Sequence, residues 1–143
     1  MHDGATIERL EPQPDNPCVG CGGGNPRGMQ LAFELDHERR RVVGRFQFGA
    51  EYQGSRGILH GGIIALVLDE AMGKLTRFRK LRAVTAELQV EYLRPIPAGA
   101  AIEVEAEEVE QVGRNLHFQA EIRDAGQRVL ARGRARFVAI GDR

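Results

Sequence analysis

A chain of 143 residues, 42% hydrophobic and 28% charged, suffices for one domain with its own core. Twenty basic residues balance twenty acidic ones, which argues against a sequence-independent nucleic-acid binder and supplies no polybasic membrane anchor. No apolar run approaches the ~20 residues of a membrane helix, and Met1-His2-Asp3-Gly4 lacks a leader's charged-then-apolar profile, so a cytoplasmic protein without nucleic-acid or membrane partners is expected.

The first 28 residues are rich in Pro, Gly, Asp and Asn, and read as an extended N-terminal arm with turns and no regular element. Residues 29–143 then read as a single domain. Met29, Leu31, Phe33 and Leu35 alternate with polar neighbours, a half-buried strand. A turn at residues 37–40 leads to a second strand, in which Val42, Phe46 and Phe48 share a face. From Ile63 to Met72 the chain is apolar on every side except Asp69 and Glu70, as in a helix buried all round. Lys74, Arg77 and Arg79 suit its C-terminal end, with Lys80 and Arg82 extending a solvated basic cluster.

The second half is all strand. Val84, Ala86, Leu88, Val90 and Tyr92 alternate without error until Arg94-Pro95-Ile96-Pro97 stops the ladder. Ile102, Val104 and Ala106 begin another strand, whose phase slips at Glu108–Val109 as in a bulge. The turn Gly113-Arg114-Asn115 leads to Leu116–Ile122, and a turn at residues 124–126 leads to a last strand through Phe137. The fold class is therefore α+β: an antiparallel sheet of about six strands wrapped around one long buried helix.

Two features of this pattern bear on chemistry. A carboxylate in an apolar helix costs several kcal/mol if left charged, dry and unpaired, so Asp69 needs a hydrogen bond, a cation, a wet cleft or a subunit boundary. Glu70 points about 100° away from it. At the helix start, His60-Gly61-Gly62 offers amides without intrahelical acceptors at the positive end of the dipole, a ready oxyanion site. Alone, Asp69 could equally be a structural carboxylate, and Gly61-Gly62 an ordinary glycine start. Jointly they are constrained: eight residues span about 12 Å of helix, too far for one helix to serve both ends of a single reaction centre. Antiparallel helices of a symmetric dimer satisfy the distance, Gly61 of one chain facing Asp69 of the other.

The combination of Gly57-Ile58-Leu59-His60-Gly61-Gly62, Leu68-Asp69-Glu70-Ala71-Met72-Gly73, Val84-Thr85 and Tyr92-Leu93-Arg94-Pro95 resembles the hotdog-fold thioesterases of the PaaI-like branch. That resemblance runs from about Cys18 to Phe137. It implies hydrolysis of acyl-CoA substrates in a homodimer or a homotetramer (a dimer of dimers), with no cofactor. By position it makes Asp69 the catalytic base or nucleophile and the Gly61 amide the oxyanion donor. His60 and Gly62 then help to hold the thioester, and Thr85 orients the attacking water. Where relatives carry Asn six residues before the motif histidine, this chain has Gly54, so either Gln53 takes that role or the water is held differently. The resemblance further places nucleotide contacts around Gly113, Arg114 and Asn115. The alternatives are a non-catalytic acyl-CoA binding or sensing protein, and a hotdog hydratase or dehydratase.

Cys18-Val19-Gly20-Cys21-Gly22 is similar to half of a zinc knuckle, but a structural zinc site takes four ligands and no second CxxC exists. The cysteines are read as a tight turn of reduced thiols with no metal. His2, His37 and His117, or cysteines pooled from two chains, are the candidates for completing a metal site.

Overall fold

The computed structural model describes residues 6–143. It contains β1 (Ile7–Leu10), β2 (Phe33–Asp36), β3 (Arg41–Gln47), α1 (Gly61–Lys74), β4 (Leu81–Tyr92), β5 (Ala101–Val112), β6 (Asn115–Asp124) and β7 (Val129–Asp142). Short 3-10 turns at Ala50–Tyr52 and Leu75–Arg79 precede and follow the helix. All seven strands join one antiparallel sheet in the order β1-β2-β3-β5-β6-β7-β4, and the sheet packs around α1 as expected. No helix among the described residues is long and apolar enough to cross a membrane.

Period-two patterning builds the sheet. Along β6 the even positions Leu116, Phe118, Ala120 and Ile122 are buried while the odd ones are half-exposed. They meet the α1 stripe of Ile64, Val67, Leu68, Ala71 and Met72, spaced i, i+3, i+4, i+7 and i+8. Burying each larger side chain contributes about 1.5–3 kcal/mol. On the outer face Arg and Glu alternate between strands: Glu105 pairs with Arg39, Arg41 and Arg123, and Glu121 with Arg123 and Arg132.

The structure differs from the expected pattern in four places. The arm contains a strand: β1 pairs with β2 from Ile7–Asp36 to Leu10–Phe33, making seven strands rather than six. Four residues inside a proline- and glycine-rich stretch are too few to display a period. The strand expected from Met29 begins at Phe33, although Leu31 is buried. The last strand runs on to Asp142. The helix is not buried all round within one chain, since Ile63, Ala65, Leu66 and Asp69 on its other side remain half-exposed.

The bulge expected near Val109 is present, with register shifting between Glu108 and Glu110. A second shift, between Thr85 and Glu87 of β4, is hidden in the sequence because Ala86 fits an apolar alternation. Its effect is to turn Thr85 over. Thr85 lies opposite the buried Phe137, and Leu88 opposite the buried Ala135, so Thr85, Leu88, Val90 and Tyr92 share the helix-facing side of β4. β4 is also an edge strand of the sheet, opposite the β1 edge, and Leu88 and Tyr92 remain 38% and 54% exposed on it.

Candidate active site

The start of α1 is set by its cap. His60 is extended (φ −64°, ψ 137°), and its Nδ1 accepts from the Gly62 N–H at 2.8 Å, which puts a neutral ring's proton on Nε2. Ile63 and Ile64 donate to the His60 carbonyl at 3.0 and 3.2 Å. Of the four amides that a helix start leaves over, only that of Gly61 has no acceptor among the described residues. Tyr92 fixes the same residue from the other side, its hydroxyl donating to the Gly61 carbonyl at 2.8 Å. No sequence pattern signals this contact, because an alternating strand reads Tyr92 only as an apolar position.

Two turns along the helix, Asp69 is half-buried between α1 and β4. The Thr85 hydroxyl donates to its Oδ1 at 2.8 Å, leaving Oδ2 for another partner. Burial raises the Asp69 pKa above the ordinary carboxylate value, and the Thr85 hydrogen bond opposes that rise. A carboxylate so tuned is a stronger base than a solvated one.

Thus β4 runs antiparallel to α1 and touches it at both ends, Thr85 at Asp69 and Tyr92 at Gly61. Within one chain the two ends stay about 12 Å apart. The strip between them, Ala65 and Leu66 on the helix and Leu88 on β4, is apolar and uncovered.

The other expected residues fall into two groups. Gln53 and Gly54 sit on the loop before the helix, where Gly54 lies against His60. The Gln53 Oε1 accepts from the Gly57 N–H at 2.8 Å, so that oxygen closes its own loop. The β5–β6 hairpin lies at the Asp69 end of the helix: Asn115 pairs with Val138, which pairs with Val84 beside Thr85. Its two-residue turn is Gly113-Arg114, with Gly113 at φ +60°, the first position of a type II′ turn. Asn115 belongs to β6 rather than to the turn, and its Oδ1 accepts from Arg136 at 3.0 Å. Arg114 is exposed and without an ion pair among the described residues.

Glu70 faces away from Asp69, toward the arm. Cys18 Sγ, Cys21 Sγ and a Glu70 carboxylate oxygen lie within 4.8 Å of one another. The candidate histidines for that cluster are elsewhere: His37 bonds Glu8 at 2.8 Å, His117 is on β6, and His2 lies outside the described residues.

Residues 56–131 match the family described as the thioesterase superfamily. Acyl-coenzyme A thioesterase THEM4 of Rattus norvegicus is 30% identical over 103 residues, which are 72% of this chain and 44% of that protein. The chain thus spans less than half the length of that relative. A crystal structure of a thioesterase superfamily protein aligns over 85% of this chain and 60% of its own, with 26% identity and a TM-score of 0.78. The PaaI protein of the E. coli phenylacetic acid degradation operon shares the fold at 23% identity and a TM-score of 0.68, over 72% of this chain and 75% of its own.

Proposed function

From the chain's membership of the thioesterase superfamily, we propose that it hydrolyses acyl-CoA thioesters to the free acid and CoA at sites shared between two copies. The observation that carries this reading is the unclaimed Gly61 N–H at the head of the helix whose middle holds Asp69. An N–H aimed out of a helix terminus stabilises the oxyanion that forms when a thioester carbonyl is attacked. Asp69 of the opposite chain takes a proton from the attacking water, which Thr85 helps to orient, and the CoA thiolate departs. Direct attack by Asp69 to form a mixed anhydride is the other route, and a rapid-quench search for acylated protein by mass spectrometry tells the two apart. Arg114, at the Asp69 end of the sheet, is assigned to the phosphates of CoA.

Dimerisation is supported by the uncovered side of β4 and by the half-exposed apolar residues of α1. Two inactive variants test the sharing. Gly61→Pro removes the amide, and Asp69→Asn removes the base. Unfolded and refolded together in equal amounts, half of the dimers are mixed, and each mixed dimer rebuilds one intact site. Activity should return to about a quarter of wild type if the sites cross between chains. A mixture as inactive as its parents refutes the sharing.

A further inference from the structure

The Cys18-Val19-Gly20-Cys21-Gly22 turn has no part in thioester chemistry, yet the fold seats it on the helix that carries Asp69. We propose that Cys18, Cys21 and Glu70 bind one Zn2+ ion, clamping the N-terminal arm to α1, with solvent at the fourth position.

Ligand chemistry comes first. Two thiolates and a carboxylate form a set that Zn2+ takes in tetrahedral geometry. Bonds of about 2.3 Å to sulfur place two thiolates about 3.8 Å apart. The three donor atoms already lie within 4.8 Å, and Cys18 Sγ is 4.0 Å from Glu70 Oε1, so closure needs only small side-chain rotations.

The turn is also built to present its sulfurs. The backbone N–H groups of Gly20 and Cys21 both donate to Cys18 Sγ, at 3.3 and 3.4 Å, which fixes where that sulfur sits. Asn16 Oδ1 accepts from the Cys18 N–H at 3.0 Å, and the Cys18 carbonyl accepts from Gly22. A Cβ at Gly22 would lie 2.1 Å from the Asn16 carbonyl oxygen. One at Gly20 would lie 2.8 Å from Glu70 Cδ, so glycine there lets the turn rest directly on the proposed ligand. The turn is tied to the segment leading into β2 as well, with Met29 and Leu31 donating to the carbonyls of Val19 and Gly20.

Charge balance completes the site. Three anionic ligands around a divalent ion leave one negative charge in excess. Lys74, one helical turn beyond Glu70, lines the same cleft as Cys21 and supplies the compensating cation.

The test uses the full-length protein, reduced, stripped with a chelator and titrated anaerobically with Co2+. The expected result is one ion per chain, with a thiolate-to-cobalt charge-transfer band and tetrahedral ligand-field bands that vanish on adding Zn2+. Cys18→Ser and Cys21→Ser should abolish the charge-transfer signature of the two-thiolate site. Glu70→Gln should weaken binding by more than about tenfold, the least that even an outer-shell partner contributes. Wild-type protein that takes up no stoichiometric Co2+ overturns the proposal, as does equal affinity in Glu70→Gln. The wild-type titration needs no variant, so it remains decisive even where a cysteine variant fails to fold.

Discussion

Proline at position 61 isolates one hydrogen-bond donor with little collateral change. Gly61 is the first residue of α1, where a missing N–H breaks no helical hydrogen bond and proline's fixed φ suits the helix. Its predecessor must be extended, and His60 already is, at φ −64° and ψ 137°. A Cβ at position 61 would stand 3.4 Å from the Tyr92 ring, an ordinary contact. Folding stability should therefore stay within about 1 kcal/mol of wild type, with restriction of the unfolded chain contributing up to about 1 kcal/mol in its favour. Turnover is another matter. Losing one preorganised oxyanion donor costs about 10²–10³ in kcat, or about 2.7–4 kcal/mol of transition-state stabilisation, with little effect on KM. Release of CoA thiol, followed with a chromogenic disulfide across acetyl, medium-chain, long-chain and aromatic esters, measures this. Gly61→Ala retains the amide and separates bulk from hydrogen bonding. A folded Gly61→Pro protein with kcat within a few-fold of wild type would refute the oxyanion assignment.

Four further outcomes are expected. Asp69→Asn keeps an oxygen for Thr85 yet should lower kcat by about 10²–10⁴-fold; burial disfavours the ionised Asp69, so its contribution to stability is complete below the unfolded pKa and lost as pH rises through the raised folded one. Calorimetry should accordingly find the Asn variant at least as stable as wild type at neutral pH, with its advantage fading toward acid. The acid limb of kcat/KM should lie above the ordinary carboxylate range, move higher in Thr85→Val and return in Thr85→Ser, because the Thr85 hydrogen bond lowers the Asp69 pKa; a limb that does not respond removes Asp69 as the titrating group. Arg114→Ala should raise KM for CoA esters by about tenfold, from the loss of a charge-assisted hydrogen bond, while leaving truncated thioesters unaffected; equal effects on both would argue against phosphate contact. Leu88→Glu, a charge on the uncovered side of β4, should dissociate the dimer in sedimentation equilibrium and abolish activity, and an active monomer would contradict shared sites.

Long, regular patterns make most of the fold legible in the sequence. The apolar run from Ile63 to Met72, interrupted only by Asp69 and Glu70, marks the helix, and the phase slip at Val109 marks a bulge, because each depends on residues adjacent in sequence. Asp69, His60 and Gly61 are legible for a similar reason, a carboxylate and a glycine start being conspicuous within an apolar helix. What stays hidden depends on fold or on brevity. β1 offers four residues, too few for a period, and gains its stability from pairing with a strand more than twenty residues away. The Tyr92 hydroxyl finds Gly61 across 31 positions, and Glu70 meets Cys18 across 52. No spacing rule reaches that far. The side of the strand on which Thr85 lies is legible only in three dimensions, since Ala86 is equally at home facing in or out.

That inserted alanine lets Thr85 and Leu88, an odd number of positions apart, face the same side. Deleting Ala86 would make the ladder regular and leave Thr85 and Leu88 two positions apart, so both would still face the helix. Straightening the bulge at unchanged length is what would invert one flank: either Thr85 would rotate away from Asp69, or Tyr92 would release Gly61. The site thus depends on which way the two flanks face, and not on the alanine's own side chain.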